Sequence, residues 1–266
     1  MDTPNTTILV IDVGNTNTVL GLYEGATLRA QWRLATSREQ TADEYGILIH
    51  NLFALEKLTP SGVSGIMIAS VVPPMNSVLA EMAQKYFKME ALFLGPGTRT
   101  GMAIVVDNPQ EVGADRIADA VAAFEKYGGP CIVMDFGTAI TFDCVSQKGE
   151  YLGGVIMPGI GIAAEALFQR TAKLPRVEFR EPDCVIGTNT ITNIQSGLFY
   201  GAVDSVDGML GRLCGVLGKQ TRIIATGGQA PLIAGASKYK PTIDSALTLD
   251  GLRIIYQRNQ GGARKR

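Results

Sequence analysis

Three apolar runs, each ending on a glycine turn, punctuate this chain. Residues 8–21 read ILVIDVGNTNTVLG: a β-favouring run closes on Asp12, turns through Gly14 and Asn15, and resumes as a second β-favouring run. Residues 131–144, CIVMDFGTAITFDC, repeat the arrangement with Asp135, Gly137 and Thr138 at the turn. Residues 222–228, RIIATGG, form a third run that ends on Gly227 and Gly228. The repetition predicts a weak internal duplication, two halves that each open on a hairpin carrying Asp-x-Gly.

The stretches between these runs fill out the same plan. Residues 26–34 predict a third strand after the turn at Glu24-Gly25. Thr41 and Glu44 fit a capping box, and Tyr45, Leu48, Ile49 and Leu52 share one face of the helix that follows. Pro60 and Gly62 close it, residues 65–72 read as an apolar strand, Val78, Leu79, Met82 and Tyr86 mark a second helix, and residues 92–94 a short strand. The order βββαβαβ predicts mixed sheet with helices on its faces.

Pro109 cannot sit inside a helix, but a helix from Glu111 on aligns Ile117, Ala120, Val121 and Phe124 and puts Asp115 and Arg116 in its opening turns. The second half predicts strands at 130–135, 139–146 and 151–156, then a turn at Met157-Pro158-Gly159 that opens a helix through Leu167 and Phe168. Residues 187–217 predict a long helix on which Ser196, Gly197, Gly201 and Ala202 permit close approach, either of internal packing or of a second subunit. A strand at 222–226, a helical segment at 229–236 and a last helix at 248–257, with Leu249, Leu252, Ile255 and Tyr256 on its apolar face, finish the half.

Bulk numbers narrow the class. At 266 residues, 46% hydrophobic and 18% charged, the chain can bury one large domain or two small ones. The 24 Lys and Arg against 25 Asp and Glu give no long-range field for gathering nucleic acid or anionic lipid, so neither is an expected partner. The basic end at residues 263–266 is expected to be a solvated terminus. Cys131, Cys144, Cys184 and Cys214 form no C-x-x-C pair and are expected to be buried, reduced thiols. With no charged-then-apolar leader and no apolar run of about 18 residues, the expected location is the cytoplasm.

One histidine, His50, excludes a serine triad or a multi-histidine metal site, and its helical neighbours predict a packing role. Acid–base work falls to carboxylates. Gly14 can adopt conformations denied to other residues, and Asn15, Thr16, Asn17 and Thr18 bring amide and hydroxyl groups to the turn, a kit for phosphate oxygens. Asp12 would then hold a cation that neutralises the phosphate; an ordinary hairpin with a turn aspartate fits this segment equally well. Asp115-Arg116 reads either as an ion pair at a helix start or as cleft-facing chemistry.

Two Asp-x-Gly hairpins and a late Thr-Gly-Gly turn resemble the actin, hexokinase and Hsp70 superfamily. That resemblance implies an α/β fold of two ribonuclease H-like domains with mixed sheets, flanking helices and a central cleft for ATP. Residues 1–115 would carry the first phosphate loop, and residues 116–266 the second phosphate loop, the adenosine loop and a dimer helix. Asp12-Val-Gly-Asn-Thr-Asn, Gly95-Pro-Gly-Thr, Asn108-Pro109 with Val112-Gly-Ala-Asp-Arg116, Asp135-Phe-Gly-Thr-Ala, Gly153-Gly154 with Pro158-Gly159, and Ser196-Gly197 with Gly201 together are similar to the type III pantothenate kinases from end to end.

The family resemblance implies ATP-dependent phosphorylation of pantothenate to 4'-phosphopantothenate, the first step of coenzyme A biosynthesis, by a homodimer using magnesium with ATP. Asp12, Val13, Gly14, Asn15, Thr16, Asn17, Thr18 and Val19 would form the first phosphate loop, and Thr138 would meet ATP from the second. Asp115 would be the general base; Gly113, Ala114, Asp115 and Arg116 would line the substrate, with Arg116 on its carboxylate; and Thr190 would contribute from a partner subunit. Asp135 would bind a monovalent cation, potassium or ammonium. Val106 stands near the substrate where many members carry an aromatic residue. The alternative is a kinase of another small alcohol or sugar on the same fold. A filament or chaperone ATPase would need insertions that 266 residues leave no room for.

Overall fold

The computed structural model describes residues 6–260. The chain divides into two compact units, the first formed by residues up to Gly101, by Asn108–Ala122 and by the segment from Leu247 on, the second by Met102–Asp107 and Ala123–Ala246.

In the first unit β1 (Thr7–Val13) and β2 (Asn17–Glu24) pair antiparallel, with Asp12 opposite Val19 and Val13 opposite Thr18. β3 (Thr27–Ala35) follows antiparallel and alternates exposed with half-buried positions along its whole length, the period-two signature of a strand with one face on the core. β4 (Gly65–Ser70) and β5 (Leu92–Phe93) add in parallel on the far side of β1, giving the order β3-β2-β1-β4-β5. α1 (Ala42–Leu55) starts at the predicted capping box, where Thr41 Oγ1 accepts from Glu44 N–H and Glu44 Oε2 accepts from Thr41 N–H at 2.7 Å. α2 (Met75–Met82) runs on into a single wide turn, Ala83–Phe87, that ends at Lys88 in the left-handed region. Leu9, Ile11, Leu20, Tyr45, Ile49, Phe53 and Leu79 meet in the core of this unit. His50 is half-buried with its ring edge-on to Tyr86 and Phe87, the packing role predicted for it.

The second unit repeats the plan. β6 (Ala103–Ile104) is an edge strand too short for its pattern to register in the sequence. α3 (Ala114–Tyr127) leads to β7 (Cys131–Phe136), β8 (Ala139–Val145) and β9 (Glu150–Pro158), an antiparallel meander like β1-β2-β3. α4 (Ile160–Arg170) and α5 (Thr190–Leu217) precede β10 (Arg222–Thr226), which runs parallel to β7. α6 (Ala230–Ala236) connects to β11 (Thr242–Ile243). The order β11-β10-β7-β8-β9-β6 is the first sheet's order with β6 added at one edge, so the duplication legible in the hairpins extends to the topology. Met134, Phe136, Phe142, Phe199, Val206 and Leu210 form its core.

The last helix, α7 (Leu247–Gln260), departs from expectation. It buries the predicted face of Leu249, Leu252, Ile255 and Tyr256, but it does so in the first unit rather than the second half. A β-carbon on Gly21 would stand 3.0 Å from Leu249, Tyr23 donates its hydroxyl hydrogen to Asp250 at 2.8 Å, and a β-carbon on Gly65 of β4 would overlap the Tyr256 ring, so β1, β2 and β4 supply the partner surface. A helix read alone shows that it has an apolar face and not which sheet receives it.

The four cysteines are free, as expected, but only Cys131 and Cys144 are buried; Cys214 is half-buried and Cys184 exposed. Burial pushes the Cys131 thiol up to about 12. Among the described residues no helix is long and apolar enough to cross a membrane. The basic end at residues 263–266 lies outside the described residues.

Candidate active site

Asp12 is the penultimate residue of β1, half-buried, with Val19 of β2 on one side and Ala69 of β4 on the other. Just past it, Gly14 N–H donates to the Asn17 carbonyl at 3.0 Å and closes a turn that leaves Asn15 and Thr16 exposed. Thr18 points inward. It is fully buried, with its hydroxyl 2.9 Å from that of Thr36, which in turn donates to the Gly14 carbonyl at 2.8 Å. Thr36 N–H also donates to the Thr16 carbonyl at 3.0 Å. Residues 12–19 therefore fall into distinct roles. Asn15 and Thr16 present side chains outward, Asn17 and Val19 are half-buried, and the buried Val13 and Thr18 brace the turn.

The sequence did not point to Thr36 or Arg38. Thr36 is the bolt of this turn, and the exposed Arg38 places Nη2 3.4 Å from Asn15 Oδ1. Both follow an edge strand in a segment without periodicity, so only the β2–β3 register, which sets Ala35 opposite Asn17, reveals that this loop returns to the turn.

In the second unit Asp135 holds the corresponding place in β7, between Thr141 of β8 and Thr226 of β10. Gly137 N–H donates to the Ala139 carbonyl at 3.0 Å, so this turn is one residue shorter, with Thr138 exposed at its tip. Two glycines fit against it. A β-carbon on Gly159, at the start of α4, would lie 2.1 Å from the Thr138 carbonyl oxygen. One on Gly227 would lie 2.4 Å from Asp135 Oδ1 and 2.6 Å from Phe136 N, and Gly227 has φ +91°, which disfavours any side chain. The third glycine turn of the sequence is thus shaped by the carboxylate it rests on. Behind Asp135 on the same sheet face lies a second carboxylate, Asp143, fully buried and bonded by the Tyr151 hydroxyl at 2.6 Å.

At the start of α3, a short turn at Pro109–Glu111 delays the helix to Ala114, three residues later than the proline alone suggests. Asp115 lies in the first turn and folds back so that Oδ1 accepts from Arg116 N–H at 2.8 Å. Burial raises the Asp115 carboxyl above the ordinary carboxylate range, against the lowering pull of that N–H and of the Arg116 charge. Gly113, Ala114, Asp115 and Arg116 are contiguous and half-buried.

The remaining candidates lie in the second unit. Val106 Cγ1 would be 3.5 Å from a β-carbon on Gly153 of β9. Thr190 is the exposed first residue of α5, just after Asn189, whose Oδ1 accepts from Thr192 N–H at 3.0 Å as the helix cap.

Among the described residues no three His, Cys, Asp or Glu side chains group as a metal cage. Asp12 and Asp135 each offer one carboxylate at a glycine turn, a donor set that fits a cation completing its shell with phosphate, water and backbone oxygen. Glycine turns, a carboxylate with raised proton affinity and an adjacent guanidinium are each groups that phosphoryl transfer to an alcohol can use.

Comparison with known proteins bears on which alcohol. A family model described as type III pantothenate kinase matches residues 8–212. The type III pantothenate kinase of Koribacter versatilis is 56% identical over 269 residues, covering 97% of this chain and 98% of that protein. The one from Anaeromyxobacter sp. strain Fw109-5 is 56% identical over 253 residues, covering 95% and 100%. Among solved structures, a Baf family protein of Campylobacter jejuni aligns with a TM-score of 0.59 at 21% identity over 95% of this chain and 99% of that one. The ethanolamine utilization protein EutJ of Carboxydothermus hydrogenoformans aligns at 0.56 and 12% over 95% and 91%. At such identities the structures support the fold alone.

Proposed function

The chain belongs to the type III pantothenate kinase family and phosphorylates pantothenate with ATP in coenzyme A biosynthesis, and from that premise we propose how its residues divide the work. The observation that carries the proposal is the half-buried Asp115 at the start of α3, folded onto its own helix and raised in proton affinity by burial. A base whose affinity lies closer to neutrality takes a hydroxyl proton more effectively than an ordinary aspartate.

Asp115 accepts the proton of the pantothenate hydroxyl as its oxygen attacks the γ-phosphorus, and the bond from that phosphorus to the β,γ-bridging oxygen breaks to leave ADP. Arg116 binds the pantothenate carboxylate through its two-pronged guanidinium. Gly113 and Ala114 line the same substrate with backbone, and Val106 gives an apolar contact. The turn from Asp12 to Val19 holds ATP phosphates through Asn15, Thr16 and backbone N–H groups, and Thr138 meets them from the second turn. Magnesium on the phosphates would be held through Asp12 or water on it, and supplies charge neutralisation. Potassium or ammonium would lie at Asp135 and offset a carboxylate that otherwise repels the phosphate.

The active form is a homodimer. Supporting this, Gly197 and Gly201 on α5 face open space, and Val185, Ile186 and Ile191 are exposed beside Thr190. Thr190 would then complete the neighbouring subunit's substrate site.

A coupled assay of ATP consumption on pantothenate, glucose and glycerol, with and without potassium, tests the reaction. Turnover confined to pantothenate is expected; turnover on glucose or glycerol in its place would hand the site to the sugar and polyol kinases of the same fold.

A further inference from the structure

We propose that Arg38 is a positioning residue for the nucleotide polyphosphate, reaching across the β1–β2 turn to supply the positive charge that the turn itself lacks. The proposal rests on the reading of residues 12–19 as the phosphate turn. That turn contains one carboxylate, Asp12, and no lysine or arginine, so polyphosphate brought there meets turn residues whose own formal side-chain charge is negative. Hydroxyl, amide and backbone groups orient phosphate oxygens, but a multiply charged anion leaving water needs cationic partners as well.

The backbone leading to Arg38 is fixed to the turn by the hydrogen bonds of Thr36, through Oγ1 to the Gly14 carbonyl and through N–H to the Thr16 carbonyl. Three residues after Arg38, Thr41 caps α1, so both ends of the short connection are anchored. This holds the Arg38 guanidinium at the exposed tip, with Nη2 3.4 Å from Asn15 Oδ1. Among the described residues no carboxylate lies within 4.0 Å of it to neutralise its charge. Asn15 is, with Thr16, one of the two exposed side chains the phosphate would meet, and a guanidinium that already reaches it can bind a phosphate oxygen seated in the same turn.

Binding of ATP, ADP and adenosine is measured by calorimetry on the full chain and on its Arg38→Gln, Arg38→Lys and Asn15→Ala variants, with melting temperatures as a check on folding. Arg38→Gln is expected to weaken ATP by about tenfold, the size of one charge-assisted hydrogen bond. ADP should weaken less and adenosine not at all, and Arg38→Lys should recover part of the loss. In turnover the KM for ATP should rise with that for pantothenate unchanged. A structural role alone would weaken all three ligands together or lower the melting temperature, and either result overturns the proposal. ATP binding within about twofold of the parent in Arg38→Gln, with Asn15→Ala impaired, would discard Arg38 and keep the turn, since that is far below one such bond. ATP binding intact in both variants would discard the turn as well.

Discussion

Gly113 makes room for the Asp115 carboxylate: a β-carbon at 113 would stand 2.5 Å from Asp115 Oδ1. That is far inside van der Waals contact, so alanine at 113 must push the carboxylate out of its place on the Arg116 N–H. Gly113→Ala is expected to lower kcat by up to about 10²-fold, the cost of misplacing a catalytic group by about 1 Å. Nucleotide binding should persist, because the turns proposed to hold the phosphates, at Gly14 and Gly137, lie elsewhere in the chain. Single-turnover rates with nucleotide affinity on the same variant check this, and an unchanged rate would free Asp115 from dependence on its glycine.

Asp115→Asn separates catalysis from stability. Asparagine keeps the acceptor oxygen for Arg116 N–H but cannot take a proton, so kcat should fall by about 10²–10⁴-fold. Because burial raises the folded-state affinity of Asp115, the native state binds more proton than the unfolded chain between the unfolded value and the folded one. Stability from this group therefore declines as pH rises through that window, and above it the buried charge is a net cost. Asn removes the cost, so the variant should melt at a higher temperature than the parent at pH 7 and lose the advantage in acid. The parent's turnover should rise with pH as Asp115 ionises. A variant that melts lower with kcat nearly intact would assign Asp115 to structure.

The hairpins, both meanders and the long helix were legible because each carries its own period or its own glycine. Asp12 and Asp135 were legible for the same reason: a carboxylate closing an apolar strand before a glycine is a local signal. Gly113 and Asp115 lay in one motif, but the fold-back that makes the glycine necessary is a matter of side-chain direction, which spacing does not encode. Thr36, Arg38 and the Gly227 contact with Asp135 depend on segments brought together by register, Ala35 opposite Asn17 and Thr226 beside Asp135, and no window of sequence contains both partners. The seat of α7 on β1, β2 and β4 was hidden for that reason too. Of the small residues on α5, for which the sequence leaves internal packing and a second subunit both open, Ser196 is packed internally: it is buried and donates its hydroxyl hydrogen to the Val185 carbonyl. Helical rotation of one residue separates it from Gly197, which is open.

Asp135 is the proposed seat of potassium or ammonium, and Gly227 touches it. Asp135→Ala is expected to reduce activity and blunt the response to potassium, since a half-buried carboxylate beside phosphate needs a cation with it. Gly227→Ala should reproduce the effect with the carboxylate still present: the added methyl overlaps Asp135 Oδ1 and the backbone of Phe136, and φ +91° is strained for alanine. The measurement is rate against potassium concentration, with sodium as control. Equal rates of the parent in sodium, potassium and ammonium would remove the cation from Asp135, and a normal potassium curve for Gly227→Ala would show that the glycine does not govern it.

The dimer prediction turns on the open face of α5. Among the described residues, a β-carbon on Gly197 or Gly201 meets no atom within 4 Å outside its own chain neighbours and helix backbone, so alanine there relieves about 1 kcal/mol of helix penalty without a clash. Arginine at 201 starts from the same exposed position but cannot be buried where a second helix lies close. Gly201→Arg should therefore keep or raise the melting temperature of the folded subunit while shifting light scattering from dimer to monomer. If Thr190 serves the neighbour's substrate site, the monomeric variant should also raise the KM for pantothenate, and parent enzyme diluted below its dissociation range should do the same. An internal role for the glycines predicts the reverse, a Gly201→Arg subunit that melts early. A parent that scatters as a monomer and remains fully active would sink the dimer and the role of Thr190 together.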